Sequence, residues 1–271
     1  MNFDLYTRSL SKKEGIWYAS EKRSISYPDD GNELCYQLEE NSFWFKHRNN
    51  CIVELIKNFP PNGSLFDIGG GNGYVAKAIE SIGIEPVLVE PGERGCLNAR
   101  KRNLGNIICS TLEDAGFEKK SIPAIGVFDV VEHFESDIDF LNYIHSYLIK
   151  DGMLYLTVPS YNFLWSNEDN DAGHHNRYTI TSLNNKLGKL GFKIEFASYM
   201  FSILPIPILL FRSLPSWLGM NKKSKDMNNK HSEHGKENRL LSKLWAWELN
   251  RIRQRKTIQF GGSCLVAARK L

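Results

Sequence analysis

The chain has 271 residues, 42% of them hydrophobic and 24% charged, proportions that exclude a disordered or fibrous protein. At about 150 residues per domain, the length allows one large domain or a domain with a lid, with enough core to need no disulfide or metal staple. The 34 Lys and Arg against 31 Asp and Glu leave a net charge of +3, too balanced to mark a nucleic-acid binder.

Residues 1–40 are polar and aromatic without a clear period. The pattern from Asn41 to Phe59 is helical and is stopped by Pro60-Pro61-Asn62-Gly63. Ser64–Ile68 is a short apolar run ended by glycines and reads as a buried strand. Gly73–Ile82 reads as a helix, Glu85–Glu90 as a strand, Cys96–Leu104 as a helix and Asn106–Cys109 as a strand. Ala124–Asp129 and Met153–Val158 are two further strands, separated by a helical pattern over Phe134–Ile149. Thr181–Leu190 is a helix, Phe192–Phe196 a sixth strand and Ser263–Ala268 a seventh. This alternation predicts an α/β fold, a Rossmann-like, mostly parallel sheet covered by helices on both faces. In such sheets the ligand binds beyond the carboxyl ends of the strands, at the switch point.

The last two strands are separated by an insertion far longer than an ordinary connection. It holds an apolar segment from Met200 broken by Pro205 and Pro207, a solvated stretch over 221–238, and an amphipathic helix near Leu240–Arg255. Leu241, Leu244, Trp245, Leu249 and Ile252 share a face of that helix. The apolar segment is well short of the ~20 residues that span a bilayer. Beside Lys222, Lys223 and Lys225 it allows peripheral membrane contact. A lid on an acceptor pocket or a homodimer surface is the better reading. The organisation expected is an N-terminal lid over 1–60, a core over 61–199, a helical cap over 200–256, and the last strand over 257–271. The cap is expected to select an acceptor with an apolar portion, and its removal to spare cofactor binding.

Asp67-Ile68-Gly69-Gly70-Gly71-Asn72-Gly73 carries the strongest chemical signal. Gly69, Gly71 and Gly73 let the backbone turn tightly and approach a ligand, and the following helix offers its N-terminal amides. Asp67, just before the turn, can accept from a cationic amine or satisfy loop amides. Glu90 ends the second strand, where a carboxylate can accept both hydroxyls of a ribose. A dinucleotide site is the rival, since Gly71-x-Gly73-x-x-Ala76 fits a loose GxGxxG/A pattern. The Asp67 carboxylate would repel a pyrophosphate there by about 1 kcal/mol or more.

These residues resemble the class I S-adenosylmethionine-dependent methyltransferases. FDIGGGNG is similar to the family's first motif, although Gly70 stands where Cys or Ser is frequent. Glu90 is similar to its ribose acid, and Ser110-Thr111-Leu112-Glu113 to its adenine-side loop. FDVVEHF (Phe128–Phe134) and LIKDGMLYLTVPS are similar to its fourth- and fifth-strand regions. The likeness covers roughly residues 40–200 and the last strand. SFWFKHRN (Ser42–Asn49), DVVEH and LWSNEDNDAGHHNRYT resemble a bacterial subgroup of small-molecule methyltransferases, some similar to ubiquinone-pathway O-methyltransferases.

The resemblance implies S-adenosylmethionine as cofactor and a seven-stranded sheet with the last strand antiparallel. Asp67, Gly69, Gly71, Gly73, Glu90, Thr111 and Leu112 would bind the cofactor, with Phe128 and Asp129 at its methionine end. Trp44 and Arg48 would lie on an N-terminal helix that closes over it, Trp44 against the sulfonium and Arg48 on the carboxylate. Trp44 could equally pack on the sheet. His133, His174 and His175 are candidate bases, and Arg177 and Tyr178 candidate acceptor contacts. Either group of histidines could instead be structural. A metal at His174-His175 with Glu168, Asp169 and Asp171 is disfavoured, because adjacent histidines in an extended chain point apart, so no metal is expected. The function expected is a cytoplasmic S-adenosylmethionine-dependent methyltransferase acting on a small-molecule acceptor. An NAD-dependent oxidoreductase or a non-catalytic, membrane-associated module on the same fold are the alternatives.

Overall fold

A computed structural model describes residues 10–19, 35–219 and 239–271. The polar stretch at 221–238 and its lysines lie outside the described residues. In chain order the elements are β1 (Leu10–Lys13), β2 (Ile16–Ala19), α1 (Phe43–Asn58), β3 (Leu65–Ile68), α2 (Tyr74–Ser81), β4 (Pro86–Val89), α3 (Glu93–Lys101) and β5 (Ile107–Cys109). There follow β6 (Ile122–Phe128), α4 (Asp137–Tyr147), β7 (Leu148–Pro159), α5 (Asn167–Asp171), α6 (Ile180–Lys189) and β8 (Phe192–Met200). The chain ends with α7 (Pro205–Ile208), α8 (Leu214–Trp217), α9 (Arg239–Arg253) and β9 (Ser263–Lys270).

One sheet of nine strands runs in the order β1-β2-β5-β4-β3-β6-β7-β9-β8. Strands β3 to β7 are parallel, and β9 is antiparallel to both β7 and β8. The chain leaves β3 for β4 on one side and later returns to β6 on the other, so the switch point lies at the end of β3. Asp67 pairs in register with Leu88 of β4 and Gly126 of β6 there. The α/β class expected from the sequence holds, with nine strands in place of seven. The two additional strands are a hairpin at the edge, turned by Glu14-Gly15 with φ of 52° and 85°, the geometry a two-residue hairpin requires. Its first strand, LSKK, carries too little apolar alternation to be read as a strand.

Successive residues of the central strands face opposite layers. Phe66, Val87, Ile125, Val127, Leu154 and Leu156 pack under α4 and α6 with Leu141, Ile144, Leu183 and Leu187. Leu65, Ala124, Met153, Tyr155 and Leu265 face α1 and α9, meeting Ile52, Leu55, Ile56, Trp245 and Ile252. Helix α1 begins at Ser42, whose side chain accepts from the Trp44 amide at 3.3 Å, a normal N-cap. Its buried stripe is polar near the strands' carboxyl ends (His47, Arg48) and apolar below (Cys51, Ile52, Leu55, Ile56).

The insertion divides into two differently placed parts. Pro205 and Pro207 open a helical segment rather than break one, since proline is tolerated in a first helical turn. The helix widens to a π-turn over Leu209–Ser213 just before Pro215, whose missing N–H and ring crowd the turn behind it. This segment rests on the loop after β7: Ser213 Oγ donates to the Leu164 carbonyl at 2.9 Å, and Arg212 pairs with Glu168 at 2.6 Å. Helix α9 instead lies along α1. No helix among the described residues is long and apolar enough to cross a membrane.

Fully buried Tyr155 ties β7 to the end of α1, its hydroxyl donating to the Phe59 carbonyl. Tyr155→Phe leaves that carbonyl short of a donor and should lower stability by about 1 kcal/mol. Urea titration should show a lower midpoint with an unchanged slope; an unshifted midpoint would show that the bond contributes nothing net.

Candidate functional site

The backbone turns at the end of β3 through Gly69, Gly71 and Gly73, with φ of 67°, 54° and 71°, values that residues bearing a Cβ rarely adopt. Beneath the turn lies Asp67, 1% exposed. A Cβ on Gly70 would come within 2.5 Å of its Oδ2, so the carboxyl fits only because Gly70 has none. Neither Asp67 oxygen makes a hydrogen bond of normal geometry; the Ala76 amide acts on it only weakly. Burial pushes its pKa up to about 7, against the pull of Arg48 and helped by the charge of Glu90.

Glu90 follows β4 and is 8% exposed. Its Oε2 accepts from the Gly71 amide at 2.9 Å and its Oε1 from the Gly92 amide at 2.6 Å. It therefore pins the glycine turn to the start of α3, with lone pairs left for further donors. Next to this turn opens a cleft of about 510 Å³. Its walls are Ile68, Gly69, Val89 and Pro91 on one side, Ser110, Thr111, Leu112 and Glu113 after β5, and Val130, Phe134, Phe140 and Tyr143 beyond β6. Ser110 Oγ is buried there without a partner. The cleft is thus largely apolar, with a few polar groups, Ser110, Thr111 and Glu113 after β5 and Ser136 and Asp139 at the start of α4, the usual make-up of a small-molecule site.

Beyond β6, Asp129 adopts φ of 57° and accepts from Thr157 Oγ1 at 3.0 Å and from Arg48 Nε at 2.5 Å. Arg48 Nη2 also donates to the Phe128 carbonyl at 2.9 Å. Trp44 stacks on Phe201 at 5.4 Å, and the Arg48 guanidinium lies 5.7 Å from the Trp44 ring. The N-terminal helix therefore reaches the ends of β3 and β6. In this structure Arg48 engages protein acceptors, and the cation near Trp44 is Arg48.

A polar cluster lies further out, between the turn after β6 and the loop after β7. Glu132 is 1% exposed, with Oε2 unpartnered; burial, then the charge of Asp129, raises its pKa well above the usual carboxylate range. The His133 and His174 rings meet edge to face at 4.9 Å. Burial and then His174 lower the pKa of His133. Asp169 Oδ1 is 2.9 Å from His174 Nδ1 and accepts from Arg177 Nε at 2.8 Å. Burial alone would raise Asp169, but these partners overcome it and hold it at about 2. Donor atoms of Glu132, His133 and His174 lie within 4.8 Å of one another, a spacing at which a divalent cation could be held. That set differs from the His174-His175 pair weighed in the sequence.

Several of the candidate residues are engaged elsewhere in this structure. His175 is exposed, and its amide donates to the Glu132 carbonyl at 2.7 Å; its ring is outside the cluster. Tyr178, a candidate acceptor contact, is 2% exposed in the core, its hydroxyl donating to Asp137 Oδ2 at 2.9 Å. Arg177 clamps both Asp169 oxygens and the Ser160 carbonyl, which makes it a brace for the loop. Phe128 offers its carbonyl, while its ring packs in the core. Ser110, Glu132 and Asp169 lie in the motifs and loop named from the sequence but were not assigned site roles there. Asp169 had a visible signal, the Ser166-x-x-Asp169 capping box; Glu132 had none apart from the DVVEH run.

The sequence profile of the methyltransferase-domain family matches residues 44–195. With more than half of its length matched, the chain belongs to that family. Among solved structures it is similar to phosphoethanolamine N-methyltransferase 2 of Haemonchus contortus, in complex with phosphomonomethylethanolamine and S-adenosylhomocysteine, with TM-score 0.57 and 18% identity. That match covers 91% of this chain and 58% of the nematode chain, so the chain spans little more than half the length of that enzyme. It is also similar to a methyltransferase of Thermotoga maritima described as a "possible histamine N-methyltransferase", at TM-score 0.53 and 15% identity, over 89% of this chain and 96% of that one. Both likenesses are of fold. A comparison with curated protein sequences gives no match. Nothing in these comparisons favours the NAD-dependent alternative.

Asp67 makes a specific demand on pH. With its folded pKa near 7 and an unfolded value near 3.8, the folded state holds the extra proton between these values. Stability therefore falls as pH rises from about 4 to about 7 and stays reduced above. Asp67→Asn should remove this slope and be more stable than wild type at pH 8. Urea unfolding at pH 5 and pH 8 measures it, and equal slopes in both proteins would contradict the assignment.

Proposed function

We propose that the protein methylates a small molecule with an apolar portion, with the cofactor at the switch point and the acceptor under the loop after β7. The observation that carries this reading is the buried, unpartnered Asp67 carboxyl beneath a glycine turn, beside a largely apolar cleft. Bound S-adenosylmethionine supplies a methyl group made electrophilic by its sulfonium. The residues present fit it: Glu90 for ribose hydroxyls, Ser110, Thr111 and Leu112 around the adenine, and Asp67 for the amino group. Gly69, Gly71 and Gly73 bring the backbone close. Arg48, Asp129 and Trp44 serve the methionine end.

Methyl transfer is largely a matter of alignment and water exclusion. If the acceptor is a hydroxyl, it must also lose its proton, and His174 is the base that suits this. Asp169 fixes its Nδ1 side, which leaves Nε2 to receive the proton, the arrangement that orients an imidazole base. The His133 ring meets His174 edge to face beside it. The helical segment from Pro205 to Trp217 braces this loop and presents exposed Ile206, Leu210 and Phe211 near it, a surface suited to the apolar portion of the acceptor.

Titration calorimetry should show S-adenosylmethionine or S-adenosylhomocysteine binding and no binding of NAD. Glu90→Ala should weaken that binding by about 2–3 kcal/mol, as expected when a charged acceptor is lost. Unchanged affinity in the folded variant would remove Glu90 from the site. His174→Asn should leave cofactor affinity within about twofold while lowering turnover by about two to four orders of magnitude. A variant that retains wild-type turnover would exclude His174 as the base.

A further inference from the structure

Helix α9 presents an apolar face to α1 through Leu241, Trp245, Leu249 and Ile252, yet a carboxylate, Glu248, lies in the middle of that face at 0% exposure. A buried charge of this kind is costly unless every lone pair is answered. Here four donors answer it: His47 Nε2 at 2.9 Å, the Phe201 amide at 2.9 Å, and the Ser202 amide and hydroxyl at 2.6 and 2.5 Å. The carboxylate thus joins three elements: α1, the turn after β8, and α9. Phe201, held at φ of 60°, fills the space between them. Its ring meets Trp44 at 5.4 Å, His47 at 5.3 Å and Trp245 at 5.5 Å.

His47 immediately precedes Arg48 on α1, and the two side chains leave the helix in different directions. One is held by Glu248, and the other reaches Asp129 and the Phe128 carbonyl. We propose that Glu248 is a positioning residue for the cofactor: through His47 it fixes the rotation and depth of α1, and so the placement of Arg48. The second half of the insertion then serves the methyl donor, contrary to the expectation that the whole insertion could be removed without touching cofactor binding. A second ion pair joins the same two helices, Arg253 to Glu54 at 3.2 Å, but it is exposed. Exposed pairs of this kind are worth little and fix no geometry. This inference rests on the reading that Arg48 belongs to the cofactor site.

The test is calorimetric titration of the full chain with S-adenosylhomocysteine, using His47→Leu, Glu248→Ala, Arg48→Ala, the pairwise doubles with Arg48→Ala, and Arg253→Ala as control. His47→Leu leaves Glu248 its other three donors, so it reads the latch even if Glu248→Ala does not fold. The expected result is a loss of about tenfold or more in affinity for His47→Leu and Glu248→Ala, equivalent to one strong contact. Neither should weaken binding further in the Arg48→Ala background, and Arg253→Ala should bind within about twofold of wild type. A general loss of stability would instead persist in that background, which overturns the proposal. Wild-type affinity in folded His47→Leu, with Arg48→Ala weakened, also overturns it and leaves the cofactor reading standing. Wild-type affinity in Arg48→Ala removes Arg48 from the cofactor site, and the latch with it.

Discussion

The site is organised around a carboxyl group that has nowhere to put its charge. Asp67 is buried at the end of the central strand, with neither oxygen properly hydrogen-bonded, a condition that native proteins seldom tolerate. Its neighbours follow from it. Gly70 must lack a Cβ because the carboxyl occupies that space. The turn above it must be glycine-rich to pass over the side chain. Glu90, whose pKa is itself raised by burial, anchors the turn to α3 through the Gly71 and Gly92 amides. The folded chain carries this unfavourable arrangement at the position where a cation-bearing ligand would relieve it, the sort of local cost that functional sites retain.

Around this rigid centre the remaining parts are held with different firmness. The strands and their two helical layers are packed with fully buried aliphatic side chains. The pieces that would close on ligands are held by polar latches instead. Arg48 ties α1 to the end of β6, Glu248 ties α1 to α9, and Asp169 ties the loop after β7 to His174 and Arg177. A polar latch specifies direction as well as proximity, and methyl transfer depends on direction. The insertion is likewise divided: Pro205–Trp217 rests on the loop after β7, while α9 lies along the N-terminal helix.

Much of this was legible in the sequence where one local rule sufficed. The alternation of short apolar runs with helical patterns yields the parallel core, and FDIGGGNG places the glycine turn at the end of β3. Reading failed where tertiary partners decide. Arg177 and Tyr178 look like ligand contacts because they follow a polar loop, but Asp169 and Asp137 claim them. Glu248 falls on an apolar stripe, where a pattern search reads a single acid as an interruption; only the folded arrangement brings His47 and Ser202 to it. Pro205 and Pro207 suggested a broken helix because position within the first turn cannot be known before the helix start is known. The β1–β2 hairpin was missed because an edge strand such as LSKK gains its identity from pairing rather than from its own hydrophobicity.

The central claim is that burial holds Asp67 mostly protonated below neutral pH until a cationic ligand arrives. The most direct measurement is the proton exchange that accompanies cofactor binding, read at pH 6 from the dependence of the binding enthalpy of S-adenosylhomocysteine on the ionisation enthalpy of the buffer. With the Asp67 pKa near 7 in the free protein, binding a protonated amino group should ionise it and release up to about one proton per site. The release should shrink at pH 8 and disappear in Asp67→Asn. Binding at pH 6 with no proton release, or the same release from Asp67→Asn, would contradict the account.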